Sequence, residues 1–141
     1  MIMDRTVTRK LQELEECVRQ LRKLQGYSYN EVADDLEKIW AIERGIQVSI
    51  QIIIDVGNYI LASIGENHVE DYTNVFDKLG QHGVLPPEFA LEIRGMAGFR
   101  NILVHRYTEV DLKRVYDILQ NRLDDFIKYI EYIEFYLSSK S

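Results

Sequence analysis

The chain has 141 residues and a formal net charge of −6, with 46% hydrophobic and 28% charged residues. This balance is typical of a globular domain and excludes disordered and fibrous chains. The length predicts a single domain, residues 1–141. Cys17 is the single cysteine, which excludes an internal disulfide and favours a reducing, cytoplasmic location. Because DNA-binding modules are usually basic, we expect no DNA partner.

No segment predicts a membrane partner. Residues 1–10 lack the apolar run of a targeting signal. The most apolar stretch, residues 46–64, is interrupted by Gln47, Gln51 and Asp55. It therefore lacks the uninterrupted apolar run that a membrane span needs.

Apolar residues recur at helical spacing through most of the chain. The first such stripe predicts a helix that ends near Gly26: Val7, Leu11, Leu14, Val18 and Leu21. Residues 28–31 have the S-x-x-E pattern of a capping box, so a second helix is predicted to begin after Ser28. That helix is expected to continue to Ile64, about 35 residues or roughly 50 Å.

The second helix is apolar around most of its circumference. Such a helix lies at the centre of a bundle or at an oligomer interface. Its β-branched segment, residues 51–56, would also suit a strand, but no turn signals flank it and a helix is favoured.

The rest of the chain predicts one short and two longer helices. The short helix follows Thr73 as its N-cap, and a longer one begins at Pro87. Gly95 and Gly98 lie inside the latter, and we expect them to permit close helix approach, since glycine otherwise weakens a helix. Residues 108–111 predict the start of the last helix. Together these elements predict an all-α, up-down bundle of four main helices plus a short one.

Few residues are candidates for chemistry. The sequence has three histidines (His68, His82 and His105) and contains no H-E-x-x-H, C-x-x-C or G-x-x-x-x-G-K pattern. No metal site is expected, because a structural zinc site is improbable with one cysteine. Cys17 is better interpreted as a small core residue than as a nucleophile.

The segment 99–107 stands apart because Arg100, Asn101, His105, Arg106 and Tyr107 surround a short apolar run at a predicted helix end. Arginine binds phosphate through bidentate, permanently charged contacts. Histidine transfers protons near neutral pH. RNA supplies its own nucleophile, the 2′-hydroxyl, so this pair suits phosphodiester cleavage without a metal.

Charge is unevenly distributed around this segment. Residues 94–114 contain five basic and two acidic residues and carry +3, so the rest of the chain carries −9. A local positive potential of this kind attracts a polyanion.

The helical geometry of the motif favours a shared site. At 100° per residue, Arg100 and His105 lie about 140° apart on a straight helix, whereas Asn101 and His105 are separated by about 40°. We therefore expect two copies of the motif to meet across a two-fold axis.

Arg100, His105 and Tyr107 together form the pattern R-x4-H-x-Y, which resembles the motif of HEPN-domain ribonucleases of the HepT toxin type. Residues 41–47 and 55–58 are similar to the second helix of that family. The resemblance covers essentially the whole chain. It implies an all-helical, HEPN-like fold that forms a two-fold homodimer.

The resemblance also implies a function. It predicts the toxin of a type VII toxin–antitoxin system, a metal-independent endoribonuclease without a cofactor, whose R-x4-H motifs form a composite site at the homodimer interface. Arg100 is implied to bind and stabilise the phosphate, His105 to transfer a proton, and Asn101 to orient them. The implied partner is an MntA-like nucleotidyltransferase antitoxin that transfers AMP from ATP to Tyr107. The added phosphate would exclude RNA by occupancy and like charge.

Simpler interpretations stay open. Arg100 and His105 also suit cations at a helix C-terminus. Arg106 would either contact RNA or remain a solvated charge. Tyr107 would either be the site of modification or pack at an edge of the bundle. As an alternative function, the chain would be a non-catalytic helical interaction module that partners a nucleotidyltransferase, or a purely structural dimer.

Overall fold

The computed structural model describes residues 2–66, 71–105 and 110–140, and within those ranges the chain forms helices and no strand. The helices in chain order are α1 (Ile2–Leu24), α2 (Tyr29–Ala33), α3 (Leu36–Ser63), α4 (Tyr72–Gln81), α5 (Pro87–Ile93), α6 (Gly95–His105), α7 (Leu112–Asn121) and α8 (Leu123–Ser139). The predicted all-α class is confirmed. The predicted number of helices needs correction, because three of the expected long helices are each divided in two.

The first division follows the capping box. Ser28 Oγ accepts a hydrogen bond from the Glu31 N–H at 3.2 Å, and the Ser28 N–H donates to Glu31 Oε1 at 2.9 Å, as predicted. The helix that begins there, α2, has five residues instead of about thirty-five. It ends because Asp35 caps a new helix, accepting from the Glu37 N–H at 3.0 Å.

The other two divisions lie at arginines. Arg94 separates α5 from α6, and Arg122 separates α7 from α8. The start of the short helix also differs, since Asp71 rather than Thr73 caps α4 through its side chain. Asp111 caps α7, at the end of the segment predicted to start that helix.

Helix α3 occupies the centre of the bundle, which is the first of the two positions expected for it. It contacts α1, α2, α4, α6, α7 and α8. It carries a stripe of five fully buried isoleucines: Ile42, Ile46, Ile50, Ile53 and Ile60. Although α3 is long and apolar enough to cross a membrane, 56% of its most apolar window is buried inside the structure. That burial is typical of the core helix of a bundle.

A glycine sets the distance between α3 and α4. A Cβ atom at Gly57 would lie 2.5 Å from Val75 Cγ1 and 3.1 Å from Leu79 Cδ1, so the side chains of α4 rest on the backbone of α3. The prediction of close approach at Gly95 and Gly98 was wrong, because a Cβ at either position would meet nothing within 4 Å in the described part of the chain.

We predict that Gly57→Ala lowers the free energy of unfolding by about 1–3 kcal/mol, because the added methyl group overpacks the helix contact and a β-branched valine has little rotamer freedom to move away. Urea denaturation measures the change. Gly95→Ala is the matched control and should stay within about 0.5 kcal/mol of the wild type. Equal effects of the two substitutions would contradict this account of the α3–α4 contact.

Candidate active site

The motif segment forms the final turns of α6. Phe99 and Leu103 are buried in the core, four residues apart on one face of the helix. Because that face is fixed inward, Asn101 and His105 are exposed and Arg100 is half-buried at the edge. The core packing of α6 therefore determines which motif side chains meet solvent.

Arg100, Asn101 and His105 line one open cleft of about 640 Å³, together with Tyr72 of α4. The structure thus brings Arg100 and His105 to the same cleft despite their separation on a helical wheel. Among the described residues, no hydrogen bond joins Arg100 to His105 directly. Gly98 also lines the cleft, and its lack of a side chain keeps that wall open.

The guanidinium of Arg100 is held on several sides. Its Nε–H donates to Gln51 Oε1 of α3 at 2.8 Å, and Nη1 donates to Asn101 Oδ1 at 3.2 Å. Its Cζ lies 5.2 Å from the centroid of the Tyr72 ring, within the range of a cation–π contact. These contacts restrict the orientation of a side chain that is otherwise flexible.

The hydrogen-bond network continues away from the cleft along α3. Gln51 Nε2 donates to Asp55 Oδ1 at 2.8 Å. The other oxygen of that carboxylate, Oδ2, lies 3.7 Å from Lys10 Nζ of α1. Two other helices, α3 and α1, are therefore linked to the motif arginine through polar side chains.

Gln51, Asp55, Lys10 and Tyr72 were not identified as site residues from the sequence. A signal for two of them was present, because Gln51 and Asp55 are spaced i, i+4 within the most apolar stretch of the chain. Polar residues in such a setting need partners. Lys10 and Tyr72 carry no comparable local signal, since their contacts depend on the packing of α1 and α4.

Two of the predicted site residues, Arg106 and Tyr107, lie outside the described residues. The described chain reaches His105 at the end of α6 and resumes at Val110. Their interpretation as an RNA contact and a modification site stays a prediction.

Other candidate chemistry is sparse in the described ranges. No group of three or more His, Cys, Asp or Glu side chains there is arranged to hold a metal ion. Cys17 is half-buried and packs against the core. Burial raises the pKa of the Cys17 thiol, which disfavours the reactive thiolate.

A sequence profile described as "HepT-like: Ribonuclease HepT-like" matches residues 14–133. The chain therefore belongs to the HepT-like ribonuclease family. This confirms, at the level of the family, the resemblance drawn from the R-x4-H-x-Y pattern.

Individual relatives agree with this assignment. The chain is 31% identical over 119 residues to the tRNA nuclease HepT of Aphanizomenon flos-aquae, covering 83% of this chain and 80% of the relative. It is 23% identical over 132 residues to the mRNA nuclease HepT of Shewanella oneidensis, covering 94% and 98%. Each match covers at least 80% of both proteins.

Solved structures establish the fold. The tri-AMPylated Shewanella oneidensis HEPN toxin, solved in complex with an MNT antitoxin, matches with a TM-score of 0.83 at 22% identity. The match covers 92% of this chain and 96% of the toxin chain. The HEPN-like class predicted from the sequence is confirmed.

Proposed function

We propose that this chain is the toxin of a type VII toxin–antitoxin system and an endoribonuclease that cleaves RNA without a metal ion. One observation carries the proposal: Arg100, Asn101 and His105 converge on a single open cleft in a member of the HepT-like ribonuclease family. The relatives named as tRNA and mRNA nucleases support RNA as the substrate class. We place the protein in the cytoplasm, where those substrates occur.

The residues of the cleft suit transesterification by the RNA itself. The 2′-hydroxyl oxygen attacks the adjacent phosphorus and the bond from phosphorus to the 5′ oxygen breaks, leaving a 2′,3′-cyclic phosphate and a 5′-hydroxyl. Arg100 binds the non-bridging oxygens and stabilises the charge that accumulates on them. His105 transfers a proton, which an imidazole does efficiently near neutral pH. Asn101 helps to orient the Arg100 guanidinium by accepting a hydrogen bond from its Nη1.

Two copies of the chain complete the site in this proposal. The reaction needs a base for the 2′-hydroxyl proton and an acid for the 5′ oxygen. A two-fold axis beside the exposed face of α6 would supply one His105 for each role. It would also double the +3 charge of residues 94–114 around one cleft.

We predict that the purified homodimer cleaves RNA in the presence of EDTA, and that Arg100→Ala and His105→Ala each reduce the rate about 100-fold or more. The assay is gel electrophoresis of an end-labelled RNA. Arg22→Ala and His82→Ala are matched controls, because both side chains are paired with carboxylates outside the cleft, and they should retain activity. An unmodified wild-type protein that cleaves no RNA would refute the proposal.

We also propose that a cognate MntA-like nucleotidyltransferase neutralises the toxin by AMPylation of Tyr107. The tyrosine oxygen would attack the α-phosphorus of ATP, releasing pyrophosphate and a proton. Tyr107 follows His105 by two residues, so the bulky anionic product would lie beside the cleft and repel RNA. The relative of known structure that is tri-AMPylated and bound to an MNT antitoxin supports this regulation.

Mass spectrometry tests the modification. Incubation with the cognate nucleotidyltransferase and ATP should add one or more AMP residues to the wild type and abolish its RNA cleavage. Tyr107→Phe should gain none and stay active in the presence of the partner. Tyr59→Phe, which alters a tyrosine that is 43% exposed, is the control and should be modified normally. Unchanged modification of Tyr107→Phe would overturn the assignment.

The alternative of a non-catalytic module is favoured by one observation. Leu36 and Trp40 lie one turn apart at the start of α3 and are 55% and 62% exposed, so they present a small apolar surface to solvent. A module of this kind would bind the nucleotidyltransferase tightly through such a pair. It would cleave no RNA, and Arg100→Ala would leave its effect on cell growth unchanged.

A further inference from the structure

We propose that Gln51 is a positioning residue that fixes the guanidinium of Arg100 for phosphate binding, and that Asp55 and Lys10 hold Gln51 in the orientation this requires. The proposal rests on the RNA cleavage proposed above. Gln51 would not touch the substrate. It would act through Arg100, across the contact between α3 and α6.

The direction of each hydrogen bond supports this role. An amide presents a donor at one end and an acceptor at the other. Because the Asp55 carboxylate accepts from Gln51 Nε2 at 2.8 Å, the opposite end of the amide must present Oε1 to the Nε–H of Arg100, at 2.8 Å. A flipped amide would place two donors together at Arg100 and two acceptors together at Asp55. Asp55 therefore selects the amide orientation that binds the arginine.

Lys10 completes the network from α1. Its ammonium lies 3.7 Å from Asp55 Oδ2, the oxygen that Gln51 does not use. The positive charge of Lys10 offsets the negative charge of Asp55. The network therefore fixes the position of Arg100 without adding net charge beside it.

A neutral acceptor at position 51 matters for phosphate binding. A carboxylate in that place would form an ion pair with Arg100 and compete with the phosphate for the guanidinium. The amide oxygen of Gln51 accepts the Nε–H and leaves the positive charge uncompensated. Binding of a polyanion then uses the full charge of Arg100.

The remaining contacts leave one end of the guanidinium open. Gln51 engages Nε, Asn101 engages Nη1 at 3.2 Å, and the Tyr72 ring lies 5.2 Å from Cζ. Within the described ranges, Nη2 makes no hydrogen bond. Arg100 also lines the open cleft beside His105, so its free N–H groups are available to a phosphate oxygen there.

Steady-state kinetics provide the first test. Gln51→Ala and the similarly sized Gln51→Leu should lower kcat about 10- to 100-fold, because misplacing a catalytic group by about 1 Å costs up to that factor. KM should change little, since most of the RNA contact surface is unaltered. Gln47→Ala is the matched control: it removes an equivalent half-buried amide one turn earlier on α3, and kcat should be unchanged. Equal kcat for the Gln51 and Gln47 variants would overturn the proposal.

A spectroscopic test does not depend on activity. The ¹⁵N–¹H resonance of Arg100 Nε, assigned by its absence in Arg100→Lys, should be protected from solvent exchange in the wild-type protein. Protection should be lost in Gln51→Ala, reduced in Asp55→Ala and retained in Gln47→Ala. An unprotected wild-type resonance, or one unaffected by Gln51→Ala, would refute the positioning role. If the wild type cleaved no RNA but protection followed the expected order, the proposed ribonuclease function would fail while the positioning of Arg100 by Gln51 would stand.

Discussion

The burial of α3 constrains how the neighbouring helices pack. Its isoleucine stripe forms the centre of the bundle, and Gly57 lets α4 pack on its backbone. Tyr129 of α8 donates to the Ile53 carbonyl at 2.8 Å from a fully buried position. Where the side chains of such a helix face its neighbours, polar groups need partners on those neighbouring helices. Gln51 and Asp55 meet that condition at the edge between α1 and α6.

The same constraint connects the core to the candidate site. Because α3 is fixed by its neighbours, the Gln51 amide is a rigid reference point for the Arg100 side chain. The α6 helix is fixed in turn by Phe99 and Leu103, which are buried. Rigid supports of this kind reduce the conformational freedom that a binding arginine must lose.

The sequence predicted the all-α class, the central helix and the family, because helical periodicity and the R-x4-H-x-Y pattern are local signals. It did not predict the division of the second helix, since the capping box at Ser28 was recognised while the competing cap at Asp35 was not. It also misplaced the close helix contact, because only the tertiary structure shows that Gly57 faces a neighbouring helix. The contacts of Arg100 with Gln51 and Tyr72 join residues that are distant in sequence. The sequence alone therefore gives no direct sign of these contacts.

In the proposed mechanism two copies of this chain share one site, and a mixed dimer distinguishes a shared site from two independent ones. We would co-express wild-type subunits with subunits that carry both Arg100→Ala and His105→Ala. The two kinds of subunit would carry different tags, and purification through both tags would isolate the mixed dimer. A shared site loses one of its two proton-transfer groups, so the RNA cleavage rate of the mixed dimer should fall roughly 100-fold below that of the wild-type dimer. Retention of half the wild-type rate would show that each subunit cleaves RNA alone and would contradict the account.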